Sequence, residues 1–149
     1  MRILIQRVAS ADVVVNEMVT GAIEHGLLLL VAITAADTEA IEDRMADKVV
    51  KLRIFSDEQG LMNKSVLNVG GGLLAVSQFT LYADAKKGNR PSYTAAARPE
   101  QASPAFDRFV AKLAARTGKP VATGVFGADM KVSLVNDGPV TIWLDSETL

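Results

Sequence analysis

The sequence predicts an α+β fold, in which a strand-rich antiparallel or mixed sheet packs against two main helices. Many short apolar runs have the alternation or the length of strands, whereas only two segments show helical periodicity. The 149 residues contain no internal repeat, linker or break in composition. We therefore expect a single domain over residues 1–149, long enough to bury a continuous core.

The first part of the chain is predicted to form an antiparallel meander. Residues 2–8 alternate between two faces, residues 13–15 follow, and a turn at residues 16–18 precedes a strand at residues 19–23. Residues 27–33 are apolar on both faces, which is typical of a central strand. We therefore expect these strands to come before the first helix.

Two segments have the spacing of helices with one buried face. The first follows a capping residue at Asp37 or Thr38 and ends near Arg53. Its buried face is predicted to contain Ile41, Met45, Val49 and Leu52. The second is predicted to begin with an N-cap and a proline at Ser103-Pro104 and to end at Gly118. Its apolar stripe is Phe106, Phe109, Val110 and Leu113.

The remaining strands are predicted in the second half of the chain. Residues 73–79 form one apolar run and residues 121–125 another. Residues 130–135 and 140–144 have the pattern of two neighbouring strands. Residues 136–141 are then expected to form the tight turn between them.

The predicted turn at residues 136–141 contains an unusual proline. Asp-Gly between two apolar runs is typical of a hairpin turn. Pro139, however, lacks the N–H that the first residue of a returning strand would donate. A Gly-Pro bond also lowers the cost of a cis peptide, although only about 5–6% of X-Pro bonds in folded proteins are cis. The residues alone therefore favour a turn.

The composition excludes several classes of chemistry. The chain has no cysteine, so disulfides, thiolate nucleophiles and cysteine-based zinc sites are ruled out. His25 is the only histidine, and its position beside Gly26 before a strand is typical of a surface turn. Ser-His-Asp catalysis would require His25 as the base. No apolar run is long enough to cross a bilayer and the N-terminus lacks the layout of a signal peptide, so we expect a cytoplasmic protein with no membrane partner.

The charge pattern predicts no global basic field for a nucleic acid. Sixteen basic and 17 acidic residues give a formal net charge of −1. A local basic cluster is formed by Lys86, Lys87 and Arg90, closely followed by Arg98. Residues 84–99 are turn-rich and long for a loop, which makes them a candidate binding loop. Such cations are usually solvated, but they would also suit contacts to a phosphate backbone.

A group of polar residues marks the end of the apolar strand predicted at residues 73–79. Ser77, Gln78 and Thr80 place a hydroxyl, an amide and a second hydroxyl there. They can satisfy local backbone groups, or they can join free backbone N–H groups in stabilising the oxyanion of an acyl transfer. Thr80 could be a nucleophile or could orient water, but no cysteine or nearby histidine supplies a base for it.

These two segments resemble the two signature motifs of the D-aminoacyl-tRNA deacylases. The motifs are Ser77-Gln78-Phe79-Thr80-Leu81 and Asn136-Asp137-Gly138-Pro139-Val140-Thr141. The resemblance extends to residues 4–8, 53–57, 88–93 and 124–130, and so covers nearly the whole chain. It implies the family's barrel-like sheet. It also implies a hydrolase that cleaves the ester between a D-amino acid and the terminal ribose of tRNA, as chiral proofreading in translation.

The resemblance implies a homodimer with an active site at the interface of its subunits. Gly138-Pro139 of one subunit would carry a cis peptide and reach into the partner's pocket, where its carbonyl oxygens would face the α-carbon region of the substrate. Arg7 matches the arginine that holds this motif, and Asn136 and Thr141 are implied as supporting residues. Steric and polar mismatch would exclude an L-residue, whereas achiral glycine, and hence glycyl-tRNA, would pass the filter.

The first motif is implied to surround the scissile ester. Gln78 and the backbone N–H groups of Phe79 and Thr80 would stabilise the oxyanion, with Ser77 beside them. Thr80 is expected to position the reacting groups rather than to attack, because no group activates it.

The resemblance also implies how the terminal adenosine is used. Its 2′-hydroxyl would assist hydrolysis, which removes the need for a side-chain base. No metal and no other cofactor is implied. Phe126 would stack on the adenine, a contact that needs no basic field, and Met130 is a further candidate for substrate binding.

Two other functions fit the same residues. An esterase for small D-aminoacyl compounds would use the oxyanion site without RNA. A non-catalytic, dimeric RNA-binding module would share the fold without the chemistry. The presence of both motifs together argues against the second alternative.

Overall fold

The computed structural model describes all 149 residues and confirms the strand-rich α+β fold. The strands are β1 (Arg2–Val15), β2 (Met18–Ile23), β3 (Gly26–Ala32), β4 (Phe55–Ser56), β5 (Met62–Lys64), β6 (Gly72–Ser77), β7 (Ala122–Thr123) and β8 (Lys131–Asp145). The helices are α1 (Glu39–Lys51), α2 (Val66–Val69) and α3 (Pro99–Thr117), with a 3₁₀ turn at Phe79–Tyr82. No helix has both the length and the apolar composition that a membrane span requires.

Six strands form one mixed sheet that curls into a nearly closed barrel. The strand order is β2-β1-β3-β6-β7, and β8 pairs along nearly the whole length of β1. Strand β1 is antiparallel to β2, β3 and β8, whereas β6 is parallel to both β3 and β7. The barrel closes where Gly21 of β2 lies against the backbone of Thr123 in β7, so closely that a Cβ on Gly21 would overlap it.

The central strand β3 is apolar on both faces because each face contacts a different part of the core. Leu27 and Leu29 belong to the cluster that packs against α1 and α3. Leu28 packs with Leu74 and Val76 of β6 in a second cluster, which side chains of β1 and β8 complete inside the curled sheet. Full burial of each such side chain contributes roughly 1.5–3 kcal/mol. The predicted central position of residues 27–33 is therefore confirmed.

Helix α1 has the predicted cap, but α3 begins earlier than predicted. The hydroxyl of Thr38 accepts a hydrogen bond from the N–H of Ile41. The predicted start of the second helix at Ser103-Pro104 was wrong, because the helix starts at Pro99 and Pro104 lies inside it. Proline at the first helical position has a backbone angle already suited to a helix. The added turn also buries Ala102 against the core, which offsets the hydrogen bond that Pro104 cannot make.

Two predicted strands are shorter in the structure. The run at residues 73–79 leaves the sheet after Ser77: the N–H of Gln78 makes the last bond to β3, to the carbonyl of Val31, and the chain then turns into the 3₁₀ segment. The run at residues 121–125 is reduced to β7, since only Ala122 and Thr123 pair with β6.

The hairpin predicted at residues 136–141 was wrong. The flanking segments do not pair with each other; both belong to the continuous strand β8 and pair with β1. Gln6 is opposite Thr141 and Val8 is opposite Asn136, so residues 137–140 bulge out opposite the single residue Arg7. Pro139 interrupts the ladder because it has no N–H to donate, but β1 is long enough to pair on both sides of the interruption. The Gly138–Pro139 peptide bond is cis.

Candidate active site

A cavity of about 790 Å³ opens at the carboxyl ends of the parallel strands β3 and β6. Its lining is mostly hydrophobic, with a few polar groups, which is typical of sites for small ligands. Three parts of the chain form the wall: the ends of the two strands, residues 93–99 with the start of α3, and residues 126–132 before and within β8. The sheet thus brings together segments that are far apart in sequence.

The end of β6 presents the first motif to this cavity. Ser77, Gln78 and Phe79 line the wall, and the side-chain amide of Gln78 donates a hydrogen bond to the hydroxyl of Thr80. The 3₁₀ turn begins at Phe79. The first N–H groups of a helical turn have no partner within the turn, and those of Phe79 and Thr80 occupy these positions. An amide, a hydroxyl and two main-chain donors are therefore close together at the end of β6, although Thr80 itself does not line the cavity.

The opposite part of the wall carries Phe126 and Met130. The ring of Phe126 packs at a tilt against Phe106 of α3, with centroids 6.4 Å apart. Met130 packs so closely against Gly124 that a Cβ on the glycine would overlap the sulfur. The cavity therefore joins the segment 124–130 to the first motif.

Arg7 fixes the bulge that contains the second motif. Its Nε donates to the carbonyl of Asp137 at 2.9 Å and its Nη1 to the carbonyl of Ile54 at 2.7 Å. Only 12% of the Arg7 side chain is exposed. Gly138 has a φ of +132°, and a Cβ there would lie 3.0 Å from Nη2 of Arg7. Close approach and the positive φ both favour glycine at this position.

His25 lies beside the bulge and not in the cavity. Its Nε2 is 3.5 Å from the carboxylate of Asp137, and its ring packs edge-on against Phe55. The histidine is therefore not placed to serve as a base for Thr80. Sequence reasoning missed both this pair and the contact of Arg7 with Ile54, because no spacing pattern links residues so far apart in the chain.

One chain does not bring its two motifs together. Asn136, Gly138, Pro139 and Thr141 are exposed, and none of them lines the cavity that contains the first motif. The basic loop is likewise separate: Lys86 lines a second cavity of about 520 Å³ with Arg2 and Tyr82, while Lys87 and Arg90 are exposed and line neither cavity.

A family model described as D-Tyr-tRNA(Tyr) deacylase matches residues 4–145. The chain belongs to this family. A D-aminoacyl-tRNA deacylase of Dechloromonas aromatica is 58% identical over 147 residues, which are 99% of this chain and 98% of that protein. Another, of Chromobacterium violaceum, is 60% identical over 146 residues, which are 98% of this chain and 97% of that protein.

Two solved structures share the fold of this chain. The c-Myc DNA unwinding element binding protein superposes with a TM-score of 0.91 at 38% identity. The superposition covers 97% of this chain and 98% of the chain of that protein. A probable eukaryotic D-amino acid tRNA deacylase shares the fold, with a TM-score of 0.84 at 16% identity. The superposition covers 96% of this chain and 97% of the chain of that protein. The family and its relatives confirm the predicted class, a hydrolase that cleaves the ester bond of D-aminoacyl-tRNA in translational proofreading.

The cavity that contains the first motif has few ionisable side chains in its lining. Those in its lining are Tyr93, Arg98 and Asp129. The carboxylate of Asp129 is 87% exposed and lies 3.1 Å from the ammonium of Lys131, so it faces solvent and a cation. In the second cavity, burial raises the pKa of the Tyr82 phenol, with the carboxylates of Asp37 and Asp145 adding to the effect. The polar groups of the cavity that contains the first motif are therefore mainly hydrogen-bond donors, and its lining contains no buried acid–base pair.

Replacing Arg7 with lysine is expected to loosen the bulge of the deacylase. An ammonium on a flexible stem does not reproduce the fixed fork that bonds two carbonyls at once. Loss of one such bond to a charged donor should lower the free energy of unfolding by about 1.5–3 kcal/mol. Urea denaturation measures this loss, and amide hydrogen exchange should become faster at residues 136–141.

Arg53→Lys is the matched control for this change. Arg53 donates to the main-chain and side-chain oxygens of Asn63 on the exposed surface, and neither bond involves the bulge. Its replacement should change stability by no more than about 0.5 kcal/mol. Equal effects of the two variants would show that Arg7 has no special role in holding the bulge.

Proposed function

We propose that the chain hydrolyses D-aminoacyl-tRNA as a homodimer, with each active site shared between two subunits. One observation carries this proposal: the Gly138–Pro139 bulge is held rigidly by Arg7 yet is exposed, outside the cavity that contains the first motif. In a dimer with two-fold symmetry, the bulge of each subunit could enter the cavity of the partner subunit, because a two-fold interface uses the same surface of both subunits.

Exposed apolar side chains on β8 support this interface. Val135 and Trp143, on either side of the bulge, are 57% and 48% exposed. Strand β8 pairs only with β1, so its other edge is open. Open edges and exposed apolar side chains are features that proteins usually cover. A second copy would cover both at the place where the bulge projects.

The bulge is suited to act as a chirality filter. Residues 137–140 have no partner on β1, which leaves the carbonyls of Gly138 and Pro139 outside the β1–β8 ladder. Main-chain carbonyls can accept hydrogen bonds from the α-ammonium of a substrate without contacting its side chain. Many D-residues would then fit, and an L-residue would be rejected by steric and polar mismatch. Glycine has no side chain to reject, so glycyl-tRNA is also a substrate in this proposal.

The first motif would stabilise the reaction at the ester carbonyl. Water attacks the carbonyl carbon, and the N–H groups of Phe79 and Thr80 with the amide of Gln78 hold the resulting oxyanion. Collapse of the intermediate expels the 3′-oxygen of the ribose and releases the D-amino acid and free tRNA. The neighbouring 2′-hydroxyl passes the proton from water to the departing oxygen. Thr80, oriented by Gln78, positions these groups.

The other wall of the cavity would hold the terminal adenosine. Phe126 provides a ring for stacking, and the polarisable sulfur of Met130 suits an aromatic neighbour. Stacking is insensitive to net charge, which is consistent with an RNA substrate for a protein of net charge −1. We place the reaction in the cytoplasm, with the translation machinery.

Purified protein is expected to deacylate D-tyrosyl-tRNA at least about 100-fold faster than L-tyrosyl-tRNA, equivalent to about 2.8 kcal/mol of discrimination. Release of labelled amino acid measures both rates, and size-exclusion chromatography with light scattering measures the mass of the particle. A monomeric particle with full activity would contradict the shared site.

The two alternative functions give different results in the same assay. A small-molecule esterase would cleave a D-tyrosine ester as well as D-tyrosyl-tRNA, and a 2′-deoxy terminal adenosine would make no difference to it. An RNA-binding module would bind tRNA and leave the D-aminoacyl bond intact. The proposal requires three results together: the protein hydrolyses D-tyrosyl-tRNA, it cleaves the D-tyrosine ester more slowly, and a 2′-deoxy terminal adenosine lowers the rate.

Gly138→Ala is expected to reduce both activity and the preference for D-substrates. The new methyl group would be 3.0 Å from both Nη2 of Arg7 and the N–H nitrogen of Val140, and φ values in this region cost about 1–3 kcal/mol for other residues. The bulge must therefore shift. Gly60→Ala is the control, since Gly60 also has a positive φ, of +80°, but has open space around it. Unchanged discrimination in a folded Gly138→Ala dimer would contradict the filter.

Thr80→Ala distinguishes positioning from covalent attack. Loss of one positioning hydrogen bond, worth about 1 kcal/mol, should lower kcat roughly five- to tenfold. Loss of a nucleophile would lower it by on the order of 10⁴-fold or more. Single-turnover rates measure the difference, and Thr80→Ser, which keeps the hydroxyl, should be close to wild type. A complete loss in Thr80→Ala would overturn the positioning role.

A further inference from the structure

Two exposed aromatic rings stand together at the mouth of the deacylase cavity. Phe79 follows the end of β6, and Tyr93 comes from the long loop before α3; both line the cavity. Their centroids are 5.2 Å apart and their planes are inclined by 75°. Phe79 is 52% exposed and Tyr93 is 40% exposed, so the chain itself covers only part of either ring. The mouth therefore presents an aromatic surface.

One exposed cation belongs to the same cavity as this pair. Arg98 lines the same cavity and its side chain is 87% exposed. Its nearest carboxylate, that of Glu100, is 3.7 Å away and 77% exposed, an arrangement that contributes little and exchanges easily for another anion. Residues 84–98 hold four basic side chains and a single carboxylate, that of Asp84, which accepts a hydrogen bond from the N–H of Lys86.

An exposed aromatic surface with an exposed arginine in the same cavity has the chemistry to bind a single-stranded nucleic acid. Each base has a flat face that stacks on an aromatic ring whatever its identity, and each phosphate attracts an arginine. The proposed function places the terminal adenosine inside the cavity, against Phe126. The unpaired 3′ end of the tRNA must then leave through the mouth, past Phe79 and Tyr93.

We propose that the Phe79–Tyr93 pair is a stacking platform for the nucleotide that precedes the terminal adenosine, with Arg98 on a phosphate of that strand. This inference rests on the proposed function and adds a second RNA subsite to it. The platform binds without regard to base identity, since stacking and a phosphate contact carry no sequence information. It holds the strand while the ester is cleaved inside the cavity.

The test compares D-tyrosyl-tRNA with D-tyrosyl-adenosine, which has the ester and the terminal nucleoside but no preceding nucleotide. Tyr93→Ala should raise KM for the tRNA and lower kcat/KM about 5- to 100-fold, the range that stacking of one base spans. The same variant should cleave D-tyrosyl-adenosine like the wild type. Tyr93→Phe keeps the ring and should restore the tRNA activity.

Leu61→Ala is the matched control, since Leu61 is 58% exposed and lies in the turn before β5, where it lines no part of the cavity. Equal losses on both substrates in Tyr93→Ala, or no loss on the tRNA, would overturn the platform. Dissociation of the dimer in Tyr93→Ala would also overturn it, because the pair would then be a contact between subunits. A wild-type protein that is inactive on both substrates would overturn the proposed function itself, and this inference with it.

Discussion

The guanidinium of Arg7 is the interaction on which the arrangement of the site depends. It bonds the carbonyls of Asp137 and Ile54, and so ties the bulge in β8 to the segment that follows α1. A planar fork with several donors can hold two carbonyls in a fixed relation, which a point charge cannot do. The bulge therefore projects from the sheet as a rigid feature. The exposed residues Gly138 and Pro139 are thus held in a defined position, as the proposed recognition by their carbonyls requires.

The proposed recognition through the main chain agrees with the chemistry of the cavity. The lining has no histidine or cysteine, and its one carboxylate, that of Asp129, is exposed beside a lysine. What it offers instead is an amide, a hydroxyl and the first N–H groups of a helical turn. Preorganised donors stabilise developing charge without a change in their own protonation. Such a site needs its substrate to supply proton transfer, and a ribose with a free 2′-hydroxyl can do so.

Local sequence signals were misleading where pairing over a long distance competed with them. Asp-Gly between apolar runs is typical of a hairpin, but β1 is fourteen residues long and pairs with both halves of β8. The run of backbone hydrogen bonds to β1 prevails over the local turn preference. Ser103-Pro104 is likewise a good helix start in isolation. Burial of Ala102 extends the helix back to Pro99, because packing against a core outweighs a propensity of less than about 1 kcal/mol per residue.

The sequence by itself determined the fold class, the central strand at residues 27–33, both apolar helix faces and the two motifs, because periodicity and residue type report directly on burial and local chemistry. Only the tertiary structure decided that Gly138-Pro139 is a bulge rather than a turn, that Arg7 ties it to Ile54, and that Phe79 meets Tyr93. The contacts Phe79–Tyr93, Arg7–Ile54 and Arg7–Asp137 join residues that are 14, 47 and 130 positions apart in the chain. No local sequence pattern encodes such a contact, because the two residues meet only after the strands of the sheet have paired in the correct register.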